Sequence, residues 1–236
     1  MLDSILTVAY PQACRSCGGS VEIFSDGAAC GDCWRRTQIF SGAETLCAKC
    51  GAVQGLNDAS YETFCHRCDE HFYDAAIAVG VYEYALSASI LNLKREPYVA
   101  PRLRKLFVAR FESSDFQIAD VIVPVPLSKK RELERGFNQA AVLSKILARK
   151  TKINLNEKSL VRKIHTPMHR IGMDGKARAL SVENAFEVTR PKLVEGKTVL
   201  LIDDVFTSGA TISNCAETLK KNGAKKVWVL TLAKTL

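Results

Sequence analysis

From Ala75 onward, short unbroken apolar runs alternate with stretches whose apolar residues recur every three or four positions. AAIAVGVYEY, Ala75 to Tyr84, reads as a strand. SASILNLK then opens a helix that continues beyond Pro101 through RLRKLFVARF. VIVPV, Val121 to Val125, reads as a strand buried on both faces, and TVLLI, Thr198 to Ile202, as another. Between them, Phe137 to Lys150 carries Val142, Leu143, Ile146 and Leu147 as a helical stripe. TISNCAETLKKNG is a helix with Ile212, Cys215, Ala216 and Leu219 on one face and Asn222-Gly223 as its stop. VWVLTL, Val227 to Leu232, closes the pattern. Strands alternating with helices predict an α/β class, a doubly wound, mainly parallel sheet with helices on both faces. Cys215 falls on the apolar face and is expected in the core.

The alternation begins near Asp74, so the expected domains are 1–73 and 74–236. With 236 residues, both have room, and the second is large enough for a substantial core. At the N-terminus, Leu2, Ile5, Leu6 and Ala9 fit one face of a short helix stopped at Pro11, a packing or capping element. Asp3 comes early and no basic leader precedes it, so the segment does not read as a signal peptide. No apolar run approaches the roughly 18 residues that span a bilayer, so membrane insertion is not expected and a cytoplasmic location is.

Charge divides at the same boundary. Residues 1–74 hold 5 Lys+Arg against 10 Asp+Glu, and residues 75–236 hold 28 against 15. The basic character lies wholly in the second domain, which suits a polyanionic ligand as well as it suits a solvated surface.

Eight of the nine cysteines lie before residue 70 as four CxxC pairs, Cys14/Cys17, Cys30/Cys33, Cys47/Cys50 and Cys65/Cys68. A CxxC knuckle lets two thiolates reach one metal, and two knuckles complete a closed four-thiolate zinc site. Two structural zinc ions are expected. In a reducing compartment the alternative, disulfides, rarely persists. Sequential pairing of knuckles is favoured because the loops of 12 and 14 residues close locally. Interleaved, cross-braced pairing is the alternative. Gly18 and Gly51 follow their knuckles and supply turn freedom. His66 and His71 lie beside the last knuckle and are expected to be ordinary surface residues.

The chemistry concentrates in VLLIDDVFTSGAT, Val199 to Thr211. In a parallel α/β sheet, ligands gather at the carboxyl ends of strands, where Asp203 and Asp204 fall. Thr207, Ser208, Gly209, Ala210 and Thr211 form the turn into the next helix, whose N-terminal amides suit a phosphate. The paired carboxylates suit sugar hydroxyls and tolerate a nearby Mg2+. Neither a Walker A loop nor a GxGxxG loop is present. The stretch resembles the phosphoribosyl-pyrophosphate (PRPP) motif of type I phosphoribosyltransferases. That resemblance implies that Asp203 and Asp204 hold the ribose and act in any catalysis, that residues 207–211 hold the 5′-phosphate, and that Mg2+ accompanies PRPP.

PVPLSKKRELERGFNQA, Pro124 to Ala140, together with the four CxxC pairs, resembles the ComF family of competence proteins across essentially the whole chain. The resemblance implies a double zinc ribbon followed by a type I phosphoribosyltransferase-like domain. Its RGFNQ signature is Arg135 to Gln139, and its lysine-bearing stretch is matched by Leu93, Lys94 and Arg95. By analogy with the transferases, Leu127, Ser128 and Lys129 form the pyrophosphate turn, with Lys130, Arg131 and Arg135 nearby. A flexible loop follows, in which Arg170, Lys176 and Arg178 are the candidate contacts. That loop departs from the family pattern at His169, Met173 and Ser181, which weakens the expectation of turnover more than that of PRPP binding. His165 and His169 are given no catalytic role. The implied function is PRPP binding joined to single-stranded DNA handling in natural transformation, with a competence helicase as a further partner. An active phosphoribosyltransferase using an unidentified base or amine, and a PRPP sensor without turnover, are the alternatives.

Overall fold

A computed structural model describes residues 12–42, 44–55, 64–68, 70–163 and 185–236. The expected N-terminal helix and the loop contacts Arg170, Lys176 and Arg178, with His165 and His169, lie outside them. The first ribbon holds a short helix, α1 (Gly31–Arg36), and the second a small antiparallel pair, β1 (Thr45–Leu46) and β2 (Val53–Gly55). Then come β3 (Ala75–Val81), α2 (Tyr84–Leu93), α3 (Pro101–Glu112) and β4 (Val121–Pro124). Next are α4 (Lys129–Arg135), α5 (Gln139–Thr151), β5 (Asn154–Leu155), β6 (Leu160–Arg162) and β7 (Phe186–Val188). The chain ends with β8 (Thr198–Phe206), α6 (Ala210–Lys221) and β9 (Lys226–Lys234).

The main sheet has the order β3-β9-β8-β4-β5, and every neighbouring pair is parallel. The expected parallel α/β sheet is therefore present. Its central strands are unbroken apolar runs because both faces are covered. Leu200 and Ile202 of β8 pack with Leu86, Leu103, Phe107 and Leu143 of α2, α3 and α5. Val199 and Leu201 point the other way, toward Ile212, Cys215 and Leu219 of α6 and toward Phe186 and Val188 of β7. Cys215 is fully buried, as its helical stripe predicts. Each such leucine contributes ~1.5–3 kcal/mol by leaving water. Among the described residues, no helix is long and apolar enough to cross a membrane.

The elements depart from the periodicity at three places. The first strand ends at Val81, and Tyr84 already opens α2. The helix expected to run across Pro101 is two helices, because a proline at the first helical position starts a turn rather than continuing one. Strand β8 runs on to Phe206, so both aspartates lie within the strand and not after it.

The two ribbons are built into this sheet. Cys14, Cys30, Cys33 and Trp34 of the first share a core with Val79, Leu86 and Leu103. Cys47, Cys50 and Cys68 of the second share the core on the opposite face with Ala76, Phe206 and Val229. The chain between them covers the outer edge of β3. Phe40 donates to Val79 O (2.9 Å), Val81 donates to Gln38 O (2.9 Å), and Ala76 donates to Lys49 O (2.7 Å). An open edge that would otherwise template aggregation is thereby paired. Asp74 fastens the junction, accepting from Val227 N (2.7 Å) and from Lys220 Nζ (2.8 Å).

Gly80 explains how the linker comes so close. A Cβ there would sit 2.2 Å from Gln38 O and 3.1 Å from Ile39 Cα. Gly80→Ala is therefore expected to destabilise the zinc-loaded protein by about 2–3 kcal/mol, through forced separation of the linker from β3. Denaturant unfolding of the two proteins measures the difference, and equal midpoints would contradict the close packing.

Candidate functional site

The eight ribbon cysteines gather as two clusters. Sulfurs of Cys14, Cys17, Cys30 and Cys33 lie within 4.8 Å of one another, as do those of Cys47, Cys50, Cys65 and Cys68. Knuckles are thus paired in sequence order, and the interleaved arrangement is excluded. Contacts such as Cys14–Cys33 (3.7 Å), Cys17–Cys30 (3.6 Å) and Cys47–Cys68 (3.6 Å) approach the ~3.8 Å between thiolates around a tetrahedral zinc. Backbone amides steady one thiolate in each cluster, Cys30 N to Cys14 Sγ and Cys65 N to Cys47 Sγ, both at 3.3 Å. Gly18 and Gly51 adopt the left-handed turn (φ +78° and +66°) that lets each knuckle fold back. Every position of each site is filled by sulfur, so the two zinc sites are structural. His66 and His71 are not ligands; His71 instead stacks on Tyr73, with ring centroids 5.2 Å apart.

The second constellation lies on the carboxyl edge of the sheet. Because β4 and β8 are parallel neighbours, the turns that follow them emerge side by side. After β8 comes Thr207 and Ser208, both exposed, and then buried Gly209 at φ +77°, from which α6 starts. Gly209 has no side chain to cap this helix; Ala210 N donates to Ser208 Oγ at 3.4 Å, and the next amides of the first turn have no side-chain cap. Ala210 and Thr211 are exposed in that turn.

Inside the same strand end, Asp203 Oδ1 accepts from Asp204 N at 2.8 Å. The two carboxylates leave opposite faces of the strand. Asp204 meets the Lys94 ammonium at the end of α2 (3.4 Å) and is 15% exposed. Asp203 faces the side of Cys215 and Arg162. Burial, followed by the Asp204 charge, pushes the Asp203 carboxyl up to about 8, against the pull of Lys94 and Arg162.

After β4, Leu127 is half-buried and Ser128 is buried as the cap of α4, its Oγ accepting from Arg131 N at 3.4 Å. Lys129 is exposed at the first helical position. Lys130 turns toward Glu134 (4.0 Å) in solvent. The Arg135–Gln139 stretch forms the joint between α4 and α5. Gly136 supplies the left-handed turn, Asn138 caps α5 by accepting from Ala140 N (3.0 Å), and its Nδ2 donates to Val125 O (2.9 Å). Arg135 donates to Gln139 Oε1 at 2.8 Å. Much of this signature therefore shapes the turn rather than offering free donors.

Two charged neighbours of this edge were not legible as such in the sequence. Arg162 sits in the short strand β6, with its guanidinium over the Phe186 ring at 5.4 Å. Lys234, at the end of an apolar strand, is buried and lies 3.7 Å above the Phe206 ring. A lone lysine closing VWVLTLAK is the signal that marks it.

An unfolded aspartate titrates at ~3.9, whereas burial pushes Asp203 in the fold up to about 8. Between those values the folded state holds more proton than the unfolded chain, so stability falls as pH rises through that window and the penalty is complete above it. Asp203→Asn removes the penalty. The ligand-free variant is expected to match the parent near pH 4 and to melt about 3–6 °C higher at pH 8.5. Scanning calorimetry at the two pH values checks this, and a variant less stable at pH 8.5 would contradict it.

Comparison with known proteins agrees with the geometry. Residues 5–72 match the double zinc ribbon domain, and residues 92–235 match the phosphoribosyl transferase domain. The DNA utilization protein YhgH of Escherichia coli K12 is 30% identical over 215 residues, covering 88% of this chain and 90% of the relative. Competence protein F of Haemophilus influenzae is 28% identical over 231 residues, covering 94% and 96%. Competence protein ComFC of Bacillus subtilis is 35% identical over 107 residues, covering 44% and 39%. With two four-cysteine zinc sites built onto a parallel sheet of the type I phosphoribosyltransferase fold, and relatives matching along most of its length, this chain belongs to the ComF family.

Proposed function

We propose that the protein binds PRPP at the carboxyl edge of β4 and β8 and handles single-stranded DNA in the cytoplasm during natural transformation. The observation that carries the PRPP reading is the juxtaposition of an acidic doublet and the hydroxyl-rich helix start that directly follows the same strand. The 5′-phosphate sits on the amides of residues 207–211, with the Thr207, Ser208 and Thr211 hydroxyls beside it. Asp203 and Asp204 accept from the ribose hydroxyls, and Lys94 holds Asp204 in place. The pyrophosphate lies over Leu127, Ser128 and Lys129, with Arg131 and Arg135 supplying positive charge. Mg2+ bound with PRPP would neutralise phosphate charge, and the Asp203 and Asp204 oxygens are hard donors suited to it.

The DNA reading draws on the relatives named for DNA utilization and competence, and on charge. A groove of about 680 Å³ between α3 and α5 is walled by Arg104, Lys105, Arg149 and Lys150, with Glu112 as the one acid on its lining. Its floor is formed by Val108, Ala109 and Ile146. Such a groove offers phosphate contacts without base readout, which suits single strands of any sequence.

Asp203→Ala combined with Asp204→Ala is expected to keep the fold and weaken PRPP binding more than about 100-fold, since the hydrogen bonds of both carboxyl groups are lost. Calorimetry with Mg2+ and PRPP measures this, and unchanged affinity would refute the assignment. Arg149→Ala with Lys150→Ala is expected to flatten the salt dependence of single-stranded DNA binding, lowering the log–log slope by about 1.4. Fluorescence anisotropy titrations at several salt concentrations give the slope, and an unaltered slope would move DNA contact elsewhere.

A further inference from the structure

The second zinc centre and the phosphate turn are joined by a continuous set of side chains. Both border one cavity of about 640 Å³, whose walls include Cys50, Cys68, His71, Phe206, Ser208 and Lys234. A four-thiolate zinc centre carries formal charge −2, and burying such a charge without a counter-charge is costly. Lys234 is the one lysine or arginine that is buried among the described residues. It lines the same cavity as Cys50, Cys65 and Cys68. Burial pulls its ammonium toward the neutral form, and the thiols of the second cluster, Cys50 foremost, oppose that pull. The other groups facing this centre are poorer counter-charges. His71 is stacked on Tyr73 with ring centroids 5.2 Å apart, and the Tyr73 side chain is buried and carries no positive charge. Lys49 is on the ribbon itself and is half-buried.

The same ammonium lies 3.7 Å from the centroid of the Phe206 ring. Phe206 also receives the edge of Tyr73 (5.8 Å), and its carbonyl accepts from Thr235 N (3.0 Å). Its ring forms the seat for the phosphate turn. A Cβ on Gly209 would lie 2.7 Å from Phe206 Cζ and 3.3 Å from His71 Cε1. The turn is therefore pressed against a ring that the lysine covers. A second strap runs beside it, as Phe72 N donates to Ser213 Oγ in the first turn of α6 at 3.1 Å.

We propose that Lys234 is a positioning residue that links the second zinc centre to the phosphate turn, serving as counter-charge to the thiolates and as the clamp that fixes Phe206 under Gly209. The zinc site thereby orders the amides of residues 207–211. The link to ligand affinity rests on the PRPP reading, whereas the link to zinc and to turn rigidity does not.

The test uses the full zinc-loaded protein with Lys234→Met, Lys234→Arg and Phe206→Leu. Three quantities are read: zinc release to a chelator, amide hydrogen exchange at 207–211, and affinity for ribose 5-phosphate. For Lys234→Met, one of the two zinc ions is expected to leave about tenfold faster while the other keeps its rate, as befits loss of an outer-shell partner. Exchange at 207–211 and the Kd for ribose 5-phosphate are expected to rise by about tenfold as well. Lys234→Arg restores all three. Phe206→Leu loosens the turn and weakens the ligand but leaves both zinc rates alone. Wild-type zinc retention in Lys234→Met, or unchanged exchange at 207–211, overturns the proposal. Failure of the parent protein to bind ribose 5-phosphate overturns the PRPP reading alone, because zinc release and exchange still decide the role of Lys234.

Discussion

The parallel pairing of β8 with β4 on one side and β9 on the other is the constraint on which the molecule depends. Parallel strands end at the same edge, so the turn after β4, the acidic doublet of β8 and Lys234 of β9 are delivered to one rim without any long-range side-chain contact to align them. Register does the rest. Asp203 lies opposite Thr231, and Val205 opposite Ala233, which brings Lys234 level with Phe206. A slip of one residue would exchange the faces on which Asp203 and Asp204 emerge and part Asp204 from Lys94.

Such a sheet needs both faces and its free edge covered, and the zinc ribbons supply part of that cover. Each ribbon is too small to bury a core of its own and depends on its metal to fold. Once folded, one ribbon adds Trp34 and its cysteines to the α2–α3 side, and the other adds its cysteines to the α6 side. The linker between them pairs with β3 and closes the edge. Metal binding, edge protection and core formation are therefore coupled energetically, although the cysteines and the phosphate turn are far apart in sequence.

The acidic doublet illustrates how a binding site is held at a cost to the empty fold. Two adjacent carboxylates with little access to water repel each other, and Asp203 answers by keeping its proton to about 8. Lys94 relieves Asp204 from one side, and Arg162 helps Asp203 from the other. The empty site is in this sense held at a cost in stability.

The amino-acid sequence by itself determined the parts whose physics is local or strictly periodic. Four CxxC knuckles specify two zinc sites; short loops favoured sequential pairing over the interleaved alternative, and the fold decided between them. Unbroken apolar runs alternating with helical stripes specify a parallel sheet, and the hydroxyl-rich turn after a buried strand marks the start of the next helix. Tertiary structure decided what depends on distance through space. Pro101 divides one apolar stripe into two helices. Arg162 sits in a three-residue strand too short to show periodicity. Lys234 looks like an ordinary strand end until the fold brings it to one cavity with Cys50, Cys65 and Cys68, far earlier in the chain. Long-range electrostatics and packing leave no pattern along the chain, because they act between residues that only the fold makes neighbours.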